Sequence, residues 1–373
     1  MDVEALAKLR FPVEHSRGRR YPEPSHPYRN DFQRDRDRVI HSRAFRRLEN
    51  KTQVFAQSYS DHFRNRLTHT LEVTQIARTV AVALKVNEDL TETLALVHDI
   101  GHPPFAHAGE AELNRQMNRF GDQFDHNLHA LRIVERFEQR YARFPGLNLT
   151  FEVREGIIKH SRDLTPGEDL GLEEYLPGLK PPLEAQIIDL ADEIAYNTAD
   201  LDDAQSAGLI QAQELAEAVP AVGALLEELE FQYPAVPERI RFLECVRRLI
   251  DILTSSLIEG TYMAARSMES IEEIRLQPRR LACFTPEGEQ LSAALKAFLH
   301  QKVYQAEELA RERLRSTQAL ASMFQFYLEH PEKLPENYFE KGQGEACHRV
   351  ICDYIAGMTD GYFWKTWKSL VES

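Results

Sequence analysis

Residues 91–110 read TETLALVHDIGHPPFAHAGE, and this stretch joins an apolar helical pattern to a cluster of polar residues. Its first half has the apolar residues of a buried helix, which ends at Gly101 and the two prolines because proline cannot continue a helix. The adjacent pair His98-Asp99 closes the apolar run. An imidazole beside a carboxylate suits a divalent metal ion, but such a pair is common by chance. Whether this pair indicates a metal site therefore depends on the other residues of the chain.

Helical patterns extend on both sides of this stretch. Apolar residues recur with a period near 3.6 over 66–86, which predicts an amphipathic helix. We also expect a helix restarting near His107. Further helices are predicted over 34–48, 125–142, 151–161 and 184–204. Segments rich in proline and glycine or arginine, 15–31 and 162–183, are expected to be loops. Because alternation typical of strands is lacking, the sequence predicts an all-α fold.

Size and composition fit an ordinary globular protein. The 373 residues are 43% hydrophobic and 28% charged, enough for a large core. An apolar run of about 18 residues is lacking, and the N-terminus lacks the apolar centre of a signal peptide. The cysteines show no CxxC and are expected to be reduced. We therefore expect a cytoplasmic protein that does not enter a membrane.

The net charge of −14 is unevenly spread along the chain. Residues 1–66 carry a balance of +6, so the remainder carries −20. A basic segment on an acidic protein favours a local anionic ligand over a general nucleic-acid surface. The alternative is that these charges form solvated salt bridges. Composition alone leaves both interpretations open.

Two other segments carry ligand-type side chains. His69 lies on the predicted 66–86 helix, where a single histidine is more often a hydrogen-bonded core residue. Asp192 lies among apolar residues, where a carboxylate is costly unless it is paired or bound to metal; alternatively, it is a surface acid beside Glu193. Asp192, Tyr196 and Asp200 are four residues apart and therefore share one helix face.

The chain resembles the HD-domain metal phosphohydrolases in its ordered set His…His-Asp…Asp. It more closely resembles the dGTPase family of dNTP triphosphohydrolases, in the shorter bacterial type. The motifs that carry this resemblance are RRLENKTQVF (46–55), RLTHTLEV (66–73), HDIGHPPFAHAGE (98–110), FDHNLHALRIVE (124–135), ADEIAYNTADLDDA (191–204) and DYIAGMTD (353–360). The resemblance implies an HD-domain helical fold. Residues 1–210 would contain the basic segment and the HD core (core about 60–205), and residues 211–373 would form a C-terminal helical region packed on the core.

The resemblance implies a divalent metal, Mn²⁺, Mg²⁺, Fe²⁺ or Zn²⁺. Its ligands would be His69, His98, Asp99 and Asp192. His107 and Glu110 match a catalytic pair that prepares the attacking water, and His126 matches the histidine that protonates the leaving 5′-oxygen.

The resemblance also implies a substrate site. Its residues would be Gln53 near the sugar, Arg66 and His102 on phosphate, and Tyr196 and Asp200 on the deoxyribose. Tyr196 would crowd a 2′-hydroxyl, and Asp200 would accept from the 3′-hydroxyl. Further positive charge for the triphosphate would come from Arg43, Arg46, Arg47 and Lys51.

The function implied is hydrolysis of a dNTP, dGTP or several dNTPs, to deoxynucleoside and tripolyphosphate. Two alternatives remain open: an HD-type phosphohydrolase of another nucleotide, such as a dNMP or a guanosine alarmone, and a non-catalytic nucleotide sensor or single-stranded nucleic-acid binder. A homo-oligomer, hexamer or tetramer, is expected, with a dNTP effector or single-stranded nucleic acid as candidate partners. Ala199 and Gly361 depart from the family pattern, which often has histidine and arginine there, so substrate range and effector response stay open.

Overall fold

A computed structural model of the chain describes residues 3–55, 63–167, 171–336, 338 and 344–371. Within these ranges nearly all regular structure is helical. β structure in the described ranges is limited to isolated bridges, such as that between Thr52 and Asn65. The predicted all-α fold is therefore confirmed.

The α-helices follow one another with short connections. In chain order they are α1 Asp31–Ile40, α2 Arg43–Arg47, α3 Arg66–Leu84, α4 Glu88–Val97, α5 Ala106–Asn118, α6 His126–Arg132, α7 Phe151–Ile158, α8 Leu183–Ser206, α9 Ala212–Ala218, α10 Pro220–Gln232, α11 Glu238–Ala265, α12 Ile271–Arg275, α13 Pro286–Leu299, α14 Glu307–Glu329, α15 Cys347–Ala356 and α16 Asp360–Leu370. Short 3-10 helices cover Val3–Leu9, Val13–His15, Leu48–Asn50, Glu173–Tyr175 and Pro331–Lys333, and π turns cover Ile133–Phe137 and His300–Tyr304.

Local sequence fixes where the helices near the predicted site begin. The side chain of Asp125 accepts hydrogen bonds from the backbone N–H groups of Asn127 and Leu128, so α6 starts at His126. α5 begins differently, because Phe105 before it has a left-handed backbone and makes no side-chain cap. The prolines at 103 and 104 separate α5 from α4.

The chain forms two compact units, each built from three stretches. The first unit comprises Met1–His15, Leu71–Ala95 and His160–Ala310, and the second comprises Ser16–Thr70, Leu96–Lys159 and Arg311–Ser373. The contacts thus group the chain differently from the expected division at residue 210, which stays a prediction.

In the first unit α8 is the central helix and packs against α11 and α13, while α10 packs against α9 and α11. Glu184 in the first turn of α8 is buried. Its Oε1 accepts hydrogen bonds from the backbone N–H groups of Phe11 and Asn87, each at 2.9 Å. One carboxylate thereby joins the N-terminal segment and the α3–α4 connection to α8.

In the second unit α5 packs against α15, and α6 packs against α7. An apolar cluster that includes Leu113, Met323 and Phe363 fills the space among α5, α14, α15 and α16. Basic residues of the N-terminal segment pair inside this unit: Arg19 with Asp31 and Asp35, and Arg38 with Glu23 and the carbonyl oxygen of Leu147. Part of the positive charge of the N-terminal segment is therefore neutralised by internal ion pairs.

In the described part of the chain, every helix is too short or too polar to cross a membrane.

Candidate functional site

Three of the four predicted metal ligands come together in the second unit. His69 lies in the first turns of α3, and His98 and Asp99 follow α4 directly. All three side chains are buried. One ligand atom from each lies within 4.8 Å of the other two, and the two imidazole rings meet edge to face with centroids 5.8 Å apart.

Arg66 is buried beside this cluster, with only 2% of its surface exposed. Its Nη1 donates to Oδ2 of Asp99 at 2.7 Å. Burial alone would raise the pKa of Asp99, but the charge of Arg66, followed by His102 and His98, holds it well below its usual range. The arginine expected to bind phosphate therefore pairs with a predicted metal ligand in this structure.

The donor set fits a divalent metal. Two imidazole nitrogens and a carboxylate oxygen suit borderline ions such as Mn²⁺, Fe²⁺ or Zn²⁺. Two ligands of one ion, each at about 2.0–2.2 Å from it, lie roughly 3–4 Å apart, so the observed spacing needs only small shifts. Asp192 belongs to the first unit, on α8, and its role as the fourth ligand stays a prediction.

His102 stands between Asp99 and His126. Its Nδ1 lies 2.8 Å from Oδ1 of Asp99, and its ring stacks on the ring of His126 with centroids 4.0 Å apart. Burial, followed by the charges of Arg66 and His126, lowers the pKa of His102 well below its ordinary value. His102 is therefore a neutral imidazole near neutral pH.

Glu110 joins the two histidines predicted to transfer protons. Its Oε1 accepts the backbone N–H of His126 at 2.9 Å and lies 2.7 Å from Nδ1 of the same residue. Its Oε2 lies 3.5 Å from Nδ1 of His107, whose side chain is 83% exposed. The spacing in the sequence predicts His107 as the partner of Glu110, but His126 lies closer to the Glu110 carboxylate.

Burial acts to raise the pKa of Glu110, but hydrogen bonds with His107 and His126 outweigh it and lower the pKa far below its ordinary value. Glu110 is therefore an ionised carboxylate near neutral pH.

The predicted sugar-binding face lies in the first unit. Asp192 and Tyr196 line a cavity of about 520 Å³ on α8, together with Arg280 and Lys296. Burial, followed by the charges of Glu193 and Asp192, raises the pKa of Tyr196, which keeps its hydroxyl protonated. One more turn along α8, Asp200 accepts a hydrogen bond from the hydroxyl of Tyr304. No local sequence pattern predicts this contact, because Tyr304 lies 104 residues from Asp200.

His160 lies beside Asp192 in the first unit. Its Nδ1 is 2.8 Å from Oδ1 of Asp189, and its Nε2 is 4.0 Å from Oδ2 of Asp192. Asp189 in turn pairs with Arg280.

Gln53 and Lys51 lie in the segment that precedes α3, and their side chains have different surroundings. Oε1 of Gln53 is buried and has no hydrogen-bond partner among the described residues, and its place near the sugar stays a prediction. Lys51 was expected to contribute charge to a triphosphate, and this was wrong. Its side chain is buried, and Nζ donates to the carbonyl oxygens of His102 and Ala356.

Comparison with known proteins places these residues in a family. A model of the HD domain matches residues 66–197, and one of the phosphohydrolase-associated domain matches 282–369. Proteins from Geobacter sulfurreducens and Ralstonia nicotianae are 43% and 46% identical over 96% and 97% of this chain, and over 92% and 93% of their own lengths. One from Leptospira interrogans is 42% identical over 99% of this chain and 97% of its own. Each is named deoxyguanosinetriphosphate triphosphohydrolase-like protein.

The chain belongs to this family. The predicted membership in the deoxyguanosinetriphosphate triphosphohydrolase-like family is therefore confirmed, and the protein is an HD-domain phosphohydrolase by family. The HD match begins at Arg66 and encloses His69, His98, Asp99 and Asp192. HD domains bind divalent metals, and the buried His-His-Asp group has donors that could hold one.

Proposed function

We propose that this protein hydrolyses a dNTP to a deoxynucleoside and inorganic tripolyphosphate, with a bound divalent metal. The observation that carries the proposal is the contact of Glu110 with His126, next to the buried His69–His98–Asp99 cluster. A binding protein needs a cluster of phosphate-binding groups, whereas a fixed carboxylate–imidazole pair serves proton transfer. The names of relatives that match nearly the whole chain support the triphosphohydrolase reaction.

His69, His98 and Asp99, with Asp192, would hold the metal. When bound, a divalent ion polarises a phosphate oxygen and lowers the pKa of a coordinated water. These imidazole and carboxylate ligands would leave room for water and a substrate oxygen, as a catalytic metal requires.

His126 would donate the proton to the 5′-oxygen that leaves the α-phosphorus. Glu110 accepts from Nδ1 of His126, which fixes the ring and directs Nε2 away from the carboxylate. The proton to be donated would be held at Nε2 of this ring. Water would attack the α-phosphorus, and its proton would pass to His107, the exposed imidazole beside the other oxygen of Glu110.

The sugar would lie against α8 in the first unit. The cavity lined by Asp192 and Tyr196 is about 520 Å³, which is within the range of small-ligand sites. The phenol ring of Tyr196 would occupy the space that a 2′-hydroxyl needs. We therefore propose that Tyr196 disfavours ribonucleotides by crowding. Asp200 would accept from the 3′-hydroxyl, and that contact competes with the hydroxyl of Tyr304.

The proposal is tested by incubating the protein with each dNTP, alone and in pairs, with Mn²⁺ or Mg²⁺ and identifying the products. Tripolyphosphate together with deoxynucleoside supports it. Parallel incubations with a dNMP and with a guanosine alarmone test the alternatives, because release of orthophosphate or of pyrophosphate, respectively, indicates another phosphohydrolase instead. Faster turnover of pairs than of single dNTPs indicates an effector.

A matched variant separates an enzyme from a sensor. His126→Ala removes the proposed acid and should lower kcat by about 10²–10⁴-fold while nucleotide binding persists. Nucleotide binding without turnover in the wild type contradicts the proposal and favours the sensor.

A further inference from the structure

The turn between the metal cluster and the proton-transfer residues has an unusual backbone. Phe105 and Ala106 both have left-handed backbone angles, with φ of +65° and +53°, although neither is glycine. Side chains with a Cβ disfavour this region, and consecutive residues there persist only when surrounding contacts hold them. The turn leads directly into α5, which carries His107 and Glu110.

Lys51 holds the first residue of this turn. It is 3% exposed, and its Nζ donates to the carbonyl oxygens of His102 and, at 3.2 Å, Ala356. Burial and then the charge of Arg47 lower the pKa of Lys51 to about 7. The carbonyl oxygen of Lys51 accepts the backbone N–H of Arg66 at 3.1 Å. A single residue thus ties the start of α3 to the turn.

Asp360 holds the last part of the same turn. It is the first residue of α16, and Oδ1 accepts the backbone N–H of Phe105 at 3.2 Å. Oδ2 accepts the backbone N–H of Thr52, next to Lys51, at 2.9 Å. The ring of Phe105 packs against Phe363 on the following turn of α16, with centroids 4.9 Å apart.

We propose that Lys51 and Asp360 are positioning residues that hold the turn from His102 to Ala106 and thereby align His102, His107 and Glu110. The proposal rests on the proposed phosphohydrolase function for its effect on turnover. Neither residue touches the reacting atoms. Each acts through backbone groups of the turn, which lies between the imidazole beside Asp99 and the helix that carries Glu110.

The physical reason is the narrow tolerance of proton-transfer geometry. Displacement of a catalytic group by about 1 Å costs on the order of 100-fold in rate. His102 contacts the carboxylate of Asp99 through Nδ1 and stacks on the ring of His126, so any shift of the turn moves the His102 ring relative to both groups. The C-terminal segments that carry Ala356 and Asp360 therefore contribute to the site without supplying a catalytic group.

The test uses Lys51→Met and Asp360→Asn in the full-length protein. Lys159→Met is the first control, because Lys159 is equally buried and bonds Glu155 at 2.8 Å. Glu184→Gln is the second control, because that carboxylate also accepts two backbone N–H groups from distant segments. Hydrogen exchange of the peptide that covers 102–107 is measured together with kcat and KM for the dNTP cleaved by the wild type.

We expect the amide of Phe105 to exchange at least about 10-fold faster in both test variants while the controls match the wild type in this peptide. We expect kcat to fall by about 10–100-fold with KM changed by less than roughly threefold. Folded test variants with wild-type exchange and kcat, or controls that lose as much kcat, overturn the proposal. If the wild type cleaves no dNTP, the proposed function fails, and the exchange of Phe105 still decides whether the turn is held by these residues.

Discussion

Replacing Arg66 with methionine removes the guanidinium that lies 2.7 Å from the buried carboxylate of Asp99. Loss of one partner from a buried ion pair lowers the free energy of unfolding by about 3–5 kcal/mol. Protonation limits this loss: at pH 7 it costs about 4 kcal/mol to protonate a carboxyl whose ordinary pKa is 3.8. We therefore expect Arg66→Met to lose about 3–4 kcal/mol in the metal-free protein.

The loss should depend on pH. In the wild type, the lowered pKa of Asp99 adds stability that is present above its ordinary value and disappears as the pH falls through the lowered pKa. In Arg66→Met the pKa of Asp99 rises, because burial acts without the guanidinium. The difference in free energy of unfolding between wild type and variant is therefore largest near pH 7 and shrinks toward about pH 4.

The assay is urea denaturation in EDTA at several pH values, repeated with Mn²⁺. Arg154→Met is the matched control, because Arg154 is buried in the same unit and lies 3.1 Å from Glu135. We expect Mn²⁺ to stabilise Arg66→Met more than the wild type, because the ion supplies positive charge beside Asp99, and to give no extra stabilisation to the control. A variant as stable as the wild type in EDTA, or a loss that does not shrink at acidic pH, would mean that the guanidinium of Arg66 does not stabilise the ionised carboxylate of Asp99.

Three further changes have definite outcomes. Glu110→Gln should lower kcat by about 100-fold with little change in KM, measured by steady-state kinetics, because Nδ1 of His126 loses its carboxylate partner. Tyr304→Phe should lower the free energy of unfolding by about 1–3 kcal/mol in urea, because buried Asp200 loses a hydroxyl donor. Gly101→Ala should reduce soluble yield and thermal stability, with a loss above about 4 kcal/mol, because a Cβ there overlaps backbone atoms of α6.

These changes have their own checks. Gly361 has open space around its Cα in α16, so Gly361→Ala should be neutral or slightly stabilising and serves as the control for Gly101→Ala. Unchanged kcat in Glu110→Gln contradicts the role of the carboxylate. Full stability of Tyr304→Phe means that Asp200 does not depend on the hydroxyl.

The sequence predicts those features that repeat along one helix or lie within a few residues. Helical periodicity located α3 and α8 correctly, and the prolines after His102 marked the break before α5. The spacing of four residues placed Asp192, Tyr196 and Asp200 along α8, which the structure describes as one continuous helix. Such patterns follow from backbone geometry alone, so a single sequence contains them.

The remaining contacts join segments that are distant in the chain, and local periodicity cannot reveal them. Lys51 lies in a basic segment, where the sequence predicts a solvent-exposed charge. Its hydrogen bond to the carbonyl oxygen of Ala356 joins residues that are 305 positions apart. The partner of Glu110 depends on how closely α6 approaches the turn at Gly101, where a side chain has no room. Both contacts depend on how the helices pack against one another. Many residues together determine that packing, so no single motif predicts it.

In the proposed reaction, water attacks the α-phosphorus and the 5′-oxygen leaves with a donated proton. The most direct measurement is ³¹P NMR and mass spectrometry of the products formed from a dNTP with Mn²⁺ in water enriched in ¹⁸O. We predict one ¹⁸O atom in tripolyphosphate, on the phosphorus that was attacked, and none in the deoxynucleoside. Label in the deoxynucleoside, or release of orthophosphate or pyrophosphate in place of tripolyphosphate, would rule out attack of water at the α-phosphorus with the 5′-oxygen as leaving group.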